Sequence, residues 1–188
     1  MALYFEAIAD PGHTHGALDY ISRPDYWKTI NIEEESYVPQ VLFRYGRPEA
    51  AYQVLFDLSS PDKHRREYPE VSYAVVAAIV SGAMGIEPPR ADDALDVQTL
   101  SQPITSEETL SVSSLHSRSN VVSITHNGEA GTRFESRDGP ALHWRASFKG
   151  EIRDVFVGGR ASPAMHGLLP GGAHGADSRW KWEGDSCV

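Results

Sequence analysis

The hydrophobic periodicity of the chain changes near residue 90, and this change constrains the fold more than any other feature. Between Ser36 and Gly85 apolar residues recur at helical spacing. After the linker at residues 87–93, which contains two consecutive prolines, the period shifts toward two. Asn127-Gly128 and Asp138-Gly139 are hairpin-type turns within this second half. A helical half followed by a strand half predicts an α+β fold.

Three helices are predicted before the linker, over residues 36–46, 48–58 and 69–84. In the first, Ser36 is the expected N-cap, which places Pro39 in the first turn, where its missing N–H costs little. The links between the helices are short. They predict antiparallel helical hairpins.

Short alternating segments after the linker predict a small antiparallel β-sandwich. The candidate strands are residues 97–100, 110–115, 120–126, 132–136, 142–148 and 155–157. The expected organisation is therefore a helical region over residues 1–87, a sandwich over 94–160 and a flexible tail over 161–188. The tail is rich in Gly and His and lacks periodicity, although Trp180 and Trp182 could dock it.

Charge and hydropathy exclude several classes of function. The 188 residues carry 17 Lys and Arg against 26 Asp and Glu, for a net charge of −9, which disfavours a nucleic-acid partner. No apolar stretch reaches the roughly 18 residues needed to cross a bilayer, so no membrane association is expected. The N-terminus lacks a basic segment before an apolar run, which favours a cytoplasmic protein. Cys187 is the single cysteine, so no intrachain disulfide forms.

Several segments resemble a known family. They are Asp25-Tyr26-Trp27, the run from Arg44 to Tyr52, the run from Arg66 to Ser72, Gly82-Ala83-Met84-Gly85-Ile86, and the strand segments at 123–128 and 139–144. Together they resemble the C-terminal end of the six-hairpin glycosidases, over roughly residues 20 to 160. In that family an (α/α)6 toroid precedes a small antiparallel β-sandwich, which implies hydrolysis of glycosidic bonds and a carbohydrate ligand.

The chain departs from the family pattern in its number of helices. A closed toroid has twelve helices, and at about 11 residues each they do not fit before residue 90. The resemblance therefore implies a partial toroid, completed by a partner chain or by a second copy of this chain. Ala77, Ala78 and Ser81 are expected on the exposed flank through which a homo-oligomer would form.

The acidic residues supply the catalytic candidates, because glycoside hydrolysis typically uses two carboxyl groups. Glu70 follows Tyr68-Pro69 at a helix start, where toroid enzymes line their clefts, and it is the first candidate for acid or base; Glu67 is a weaker one. The second carboxylate is expected from the Glu33-Glu34-Glu35 run, with Glu33 and Glu35 as candidates, or from Asp25. Each also has a structural interpretation, as a complement to a helix dipole or as a solvated surface.

Substrate contacts are expected from Asp25, Tyr26, Trp27 and Tyr68, because a carboxylate accepts sugar hydroxyl groups and an aromatic face packs on a pyranose ring. The alternative for the aromatic side chains is core packing. The histidines, among them His126 and His143, do not have the spacing of an established zinc signature, so neither a metal nor a cofactor is expected.

Two other functions fit the same sequence. One is a non-catalytic carbohydrate-binding or assembly module left from a truncated toroid enzyme. The other is a polysaccharide lyase, which needs a Tyr or His base and a group that neutralises a uronate.

Overall fold

The computed structural model describes residues 2–65, 67–87, 96–117, 119–140, 142–148, 155–157, 160–162, 165–166 and 180–185. It contains helices followed by strands, which confirms the α+β class. The chain divides into two compact units, the first made chiefly of Met1–Gly82 and the second of Ala83–Pro170 with Ala176–Val188. The toroid and the boundaries at residues 87 and 94 stay predictions.

The described part of the first unit is helical. Its elements are α1 (Pro11–Ile21), α2 (Pro24–Trp27), α3 (Ile32–Arg44), α4 (Pro48–Leu58) and α5 (Pro69–Ala77), and α5 continues into a π-helix at Ala78–Ala83. α3 packs against both α4 and α5. Leu42 and Phe43 of α3 are buried, as are Val54 and Leu58 of α4 and Val71 of α5. Burial of this apolar stripe is the main force that holds the helices together.

α3 begins earlier than the sequence pattern predicts. Its N-cap is Asn31, not Ser36, because the Asn31 side chain accepts a hydrogen bond of 2.9 Å from the Glu34 N–H. Three glutamates then occupy the first turn, where negative charge complements the helix dipole. Pro39 consequently lies inside the helix and leaves the carbonyl of Glu35 without its usual i+4 donor.

The last predicted helix changes its hydrogen-bonding pattern after Ala77. The following π-helix brings Gly82 against the ring of Phe43, where an added Cβ would lie 2.8 Å from Cγ. The exposed flank also differs from the prediction. Ala78 is fully buried and Ala77 and Ser81 are half-buried, whereas the large apolar residues exposed on this segment are Tyr73, Val76 and Ile79.

The described strands of the second unit form three sheets. The strands are β1 (Asp96–Leu100), β2 (Thr109–Ser117), β3 (Asn120–Asn127), β4 (Gly131–Asp138), β5 (His143–Phe148), β6 (Val155–Val157), β7 (Arg160–Ser162), β8 (Met165–His166) and β9 (Trp180–Asp185). Their orders are β2-β3-β4, β1-β5-β9-β8 and β6-β7. The predicted turns at Asn127-Gly128 and Asp138-Gly139 lie at the ends of β3 and β4.

The four-stranded sheet differs from the expected arrangement in two ways. β1 pairs with β5 in parallel, from Asp96 opposite His143 to Leu100 opposite Ser147, whereas the other pairings in this unit are antiparallel among the described strands. Within the segment expected to be a flexible tail, β9 pairs with β5. Trp180 and Trp182 belong to this strand, and their aromatic side chains favour extended structure.

Within the part of the chain that the structure describes, no helix combines the length and the apolar character that crossing a bilayer requires.

Candidate carboxylate site

The ammonium group of Lys63 binds two carboxylates in the first unit. Its Nζ lies 2.8 Å from Oε1 and 2.6 Å from Oε2 of Glu35, and it also contacts Oδ2 of Asp57. Glu35 comes from the first turn of α3, Asp57 from the end of α4, and Lys63 from the loop that follows α4. Asp57 and Lys63 are six residues apart, whereas Glu35 lies 28 positions before Lys63.

Burial makes this cluster chemically unusual. Glu35 is 1 % exposed and Lys63 retains a side-chain exposure of 20 %. Burial raises the pKa of Glu35 to about 7, although the hydrogen bond from Lys63 acts in the opposite direction. Burial also tends to raise the pKa of Asp57, but hydrogen bonds with Lys63 and Glu35 outweigh it and hold that pKa below its ordinary value. Near neutral pH Asp57 is therefore ionised, whereas a large fraction of Glu35 is protonated.

A groove of about 1040 Å³ opens beside this cluster, and Lys63 is one of its lining residues. Its walls come from the end of α4, the loop after it and one side of α5. Charged side chains of both signs line it, together with apolar and hydroxyl groups. The lining residues are Leu58, Ser59, Pro61, Asp62, Lys63, His64, Arg65, Glu67, Val71, Ser72, Val75 and Val76.

The predicted acidic residues occupy different positions around the groove. Glu35 lies in the buried cluster, whereas Glu33 is exposed and its Oε1 lies 3.7 Å from Arg65 Nη2. Glu70 is exposed in the first turn of α5 and does not line the groove, although the next two residues do. Glu67 lines the groove itself. The structure therefore brings Glu35 together with Asp57 and not with Glu70.

Tyr68 lies next to the groove and is held by a groove residue. Its hydroxyl accepts a hydrogen bond of 2.7 Å from Arg65 Nη2. The Cζ atom of the Arg65 guanidinium lies 4.5 Å from the centroid of the Tyr68 ring. Arg65 itself has a φ of +63°, in the left-handed region that favours glycine. The two contacts with Arg65 hold the Tyr68 ring beside the loop that lines the groove.

The Asp25-Tyr26-Trp27 segment is split among three environments. The Asp25 carboxylate is exposed and lies 3.7 Å from Arg23 Nε. Trp27 is 3 % exposed, so its ring packs in the core and offers no open face to a sugar. Tyr26 is half-buried and lines a separate cavity, which shares no lining residue with this groove. These three side chains do not form the common platform expected from the sequence.

Two members of the cluster, Asp57 and Lys63, are absent from the sequence-based candidates. Neither belongs to a recognisable motif, since one ends a helix and the other stands alone in a loop. A signal for Glu35 does exist: Glu35, Val38 and Leu42 recur at helical spacing and are all buried. A glutamate on an apolar stripe indicates a buried carboxylate that needs a partner cation.

His126 is a buried histidine of the second unit. Its Nε2 lies 3.0 Å from the Met84 carbonyl and its Nδ1 lies 2.8 Å from Thr132 Oγ1. A carbonyl only accepts, so Nε2 carries the proton and Nδ1 accepts from Thr132. Burial lowers the pKa of His126, so the ring is held neutral. Among the described residues, no group of three His, Cys, Asp or Glu side chains is arranged to hold a metal ion.

Comparison with known proteins gives no assignment for the chain. No family model matches it, no curated protein matches it, and no solved structure matches it.

Proposed function

We propose that this protein is a glycoside hydrolase-like protein that binds a carbohydrate in the groove after α4. The observation that carries the proposal is the Glu35–Asp57 pair on Lys63, in which one carboxyl group has a raised pKa and the other a lowered pKa. A pair of acids with separated pKa values is what acid–base catalysis at a glycosidic bond requires.

The roles follow from the protonation states. Glu35, with a pKa of about 7, is the proton donor to the leaving oxygen. Asp57 stays ionised and acts as the base or nucleophile. Lys63 remains charged, because its hydrogen bonds with both acids outweigh burial and raise its pKa. No cofactor is required for this chemistry.

Access to Glu35 sets a condition on this mechanism. Glu35 is 1 % exposed and is not among the residues that line the groove, whereas Lys63, which binds its carboxyl group, does line it. The Lys63 side chain therefore has to move away from Glu35 and keep its contact with Asp57, because the lowered pKa of Asp57 depends on that contact. Lys63 belongs to the loop after α4 rather than to a helix, and its side chain is 20 % exposed.

The burial of Glu35 also favours a second candidate, a carbohydrate-binding protein without catalytic activity. In that case the Glu35–Lys63–Asp57 cluster fixes the loop that forms the groove wall, and the groove alone contacts the ligand. Glu67, Ser72 and His64 provide polar groups for sugar hydroxyls along the groove.

A panel of aryl glycosides distinguishes the two candidates. We expect the full chain to release the aryl group, and we expect Glu35→Gln and Asp57→Asn to lower the rate at least about 100-fold, as loss of a general acid or base does. Glu70→Gln changes an exposed acid of the same helical unit and serves as the matched control. Circular dichroism verifies that each variant is folded.

Each outcome of this assay has one meaning. Sensitivity to Glu70→Gln with insensitivity to Glu35→Gln would move the acid to Glu70 and overturn the assignment to the buried pair. Sugar binding by calorimetry without turnover would support the non-catalytic candidate. A product that absorbs as an unsaturated uronate would replace hydrolysis by the lyase reaction.

A further inference from the structure

A second cavity in the first unit has a different chemical character from the groove. Its volume is about 190 Å³, and it lies among the N-terminal residues, α1, α2 and α3. Aliphatic side chains such as Ile8 and Val38 form part of the wall. Three phenol rings complete it, those of Tyr4, Tyr26 and Tyr37. The Tyr4 and Tyr37 rings meet edge to face, with centroids 4.9 Å apart.

Glu34 is the one acidic residue among those lining this cavity. It is exposed, which places its carboxylate at the mouth, and it forms no ion pair with any described residue. The carboxylate is close enough to the Tyr26 hydroxyl to act on it. Burial raises the pKa of Tyr26, and the negative charge of Glu34 raises it further.

Arg44, which contacts the lining residue Tyr4, is already paired. The Arg44 guanidinium lies 5.8 Å from the Tyr4 ring centroid and donates a 2.9 Å hydrogen bond to the Tyr4 carbonyl. Its Nη1 also lies 3.3 Å from Glu6 Oε1, and Arg44 does not line the cavity. The charge of Glu34 is thus left without a counter-ion in the described chain.

We propose that this cavity binds a small organic cation, with the tyrosine rings around an alkylated ammonium group and Glu34 as its counter-ion. Aromatic faces attract ammonium groups, most strongly where water is excluded. The volume equals about six water molecules at about 30 Å³ each, which suits a ligand of about seven non-hydrogen atoms. Apolar walls favour a methylated ammonium over a strongly hydrated one. The inference concerns a different cavity from the groove and does not depend on the proposed hydrolase.

Isothermal titration calorimetry of the full chain with choline and with 3,3-dimethylbutan-1-ol tests the inference. The two probes have the same shape, and only choline is charged. We expect choline to bind at least about tenfold more tightly than the neutral probe. Equal affinities, or no heat with choline at millimolar concentrations, would overturn the proposal.

Substitutions at Glu34 and Tyr37 distinguish the contribution of the carboxylate charge from that of the aromatic rings. Glu34→Gln should weaken choline binding about tenfold and leave the neutral probe unchanged, whereas Glu49→Gln removes an equal charge from the first turn of α4 and should change neither. Tyr37→Phe should retain binding and Tyr37→Leu should lose it about fivefold. Choline affinity that is unchanged in Glu34→Gln contradicts the counter-ion role, even if Tyr37→Leu does not fold.

Discussion

Nζ of Lys63 lies 2.6 Å from Oε2 of Glu35, and this contact joins a loop to the buried side of α3. The two residues are 28 positions apart in the sequence. Because Glu35 is buried, breaking this contact should lower the stability of the protein more than breaking a surface ion pair of the same length, whose contribution is small.

Replacing Lys63 should destabilise the protein strongly. Lys63→Met leaves the buried Glu35 carboxyl without its hydrogen-bond donor, and because a carboxyl group with a pKa of about 7 can take up a proton, we expect a loss of about 1–3 kcal/mol in the free energy of unfolding at pH 7. The double variant Lys63→Met with Glu35→Gln should recover part of that loss. Urea unfolding of the four proteins in this cycle measures the coupling, and Asp62→Asn is the exposed control in the same loop. Additive effects of the two single changes would contradict the pairing.

Glu35 should make stability depend on pH in an unusual direction. Its pKa in the folded state is about 7 and lies above its ordinary value of 4.5, so the folded state holds more protons than the unfolded state between these values. The contribution of Glu35 to stability is therefore full below about pH 4.5 and is lost as the pH rises through 7. Urea midpoints compared between pH 5 and pH 8 should show this loss in the wild type and a smaller one in Glu35→Gln. Parallel pH profiles would contradict it.

His126 should stay neutral at mildly acidic pH. Because burial lowers its folded pKa below the unfolded value, its contribution to stability is present above about pH 6.5 and is lost as the pH falls through the folded pKa. Nitrogen chemical shifts at pH 6.5 should show that the neutral ring predominates, with its proton on Nε2. A neutral ring with its proton on Nδ1 would contradict the hydrogen bond to the Met84 carbonyl.

Gly82 and Gly16 should respond to alanine in opposite ways. A Cβ at position 82 would overlap the ring of Phe43, so Gly82→Ala should cost about 1–3 kcal/mol. Gly16 lies inside α1 with no heavy atom within 4 Å of the added carbon, so Gly16→Ala should stabilise by about 0.5–1 kcal/mol. Thermal unfolding measures both. A neutral Gly82→Ala would show that the Phe43 ring moves aside easily.

Self-association, expected from the incomplete helical array, stays a prediction, but the surface expected to mediate it is no longer the one that contains the buried Ala78. The exposed apolar residues on α5 and the π-helix are Tyr73, Val76 and Ile79. We expect light scattering to show a dimer at micromolar concentration and Ile79→Asp to give a monomer. Phe56→Asp, on the exposed side of α4, is the matched control. A strictly monomeric wild type would contradict this expectation.

Helical spacing and turn residues were sufficient to predict several elements. Pro48 and the following apolar stripe predicted α4 with the bounds that it has, and the two Gly turns predicted where β3 and β4 end. The start of α3 was missed because both Asn31 and Ser36 are suitable caps, and only the hydrogen bond to the Glu34 N–H distinguishes them.

The sequence alone determined the change from helices to strands at the linker, since hydrophobic period and turn chemistry are local properties. The tertiary structure decided which carboxylates meet. Glu35, Asp57 and Lys63 come from α3, α4 and a loop, and their meeting depends on how the helices pack. It also decided that β1 and β5 pair in parallel and that Trp27 is buried. Pairing and burial depend on contacts between distant segments, for which a single sequence contains no direct signal.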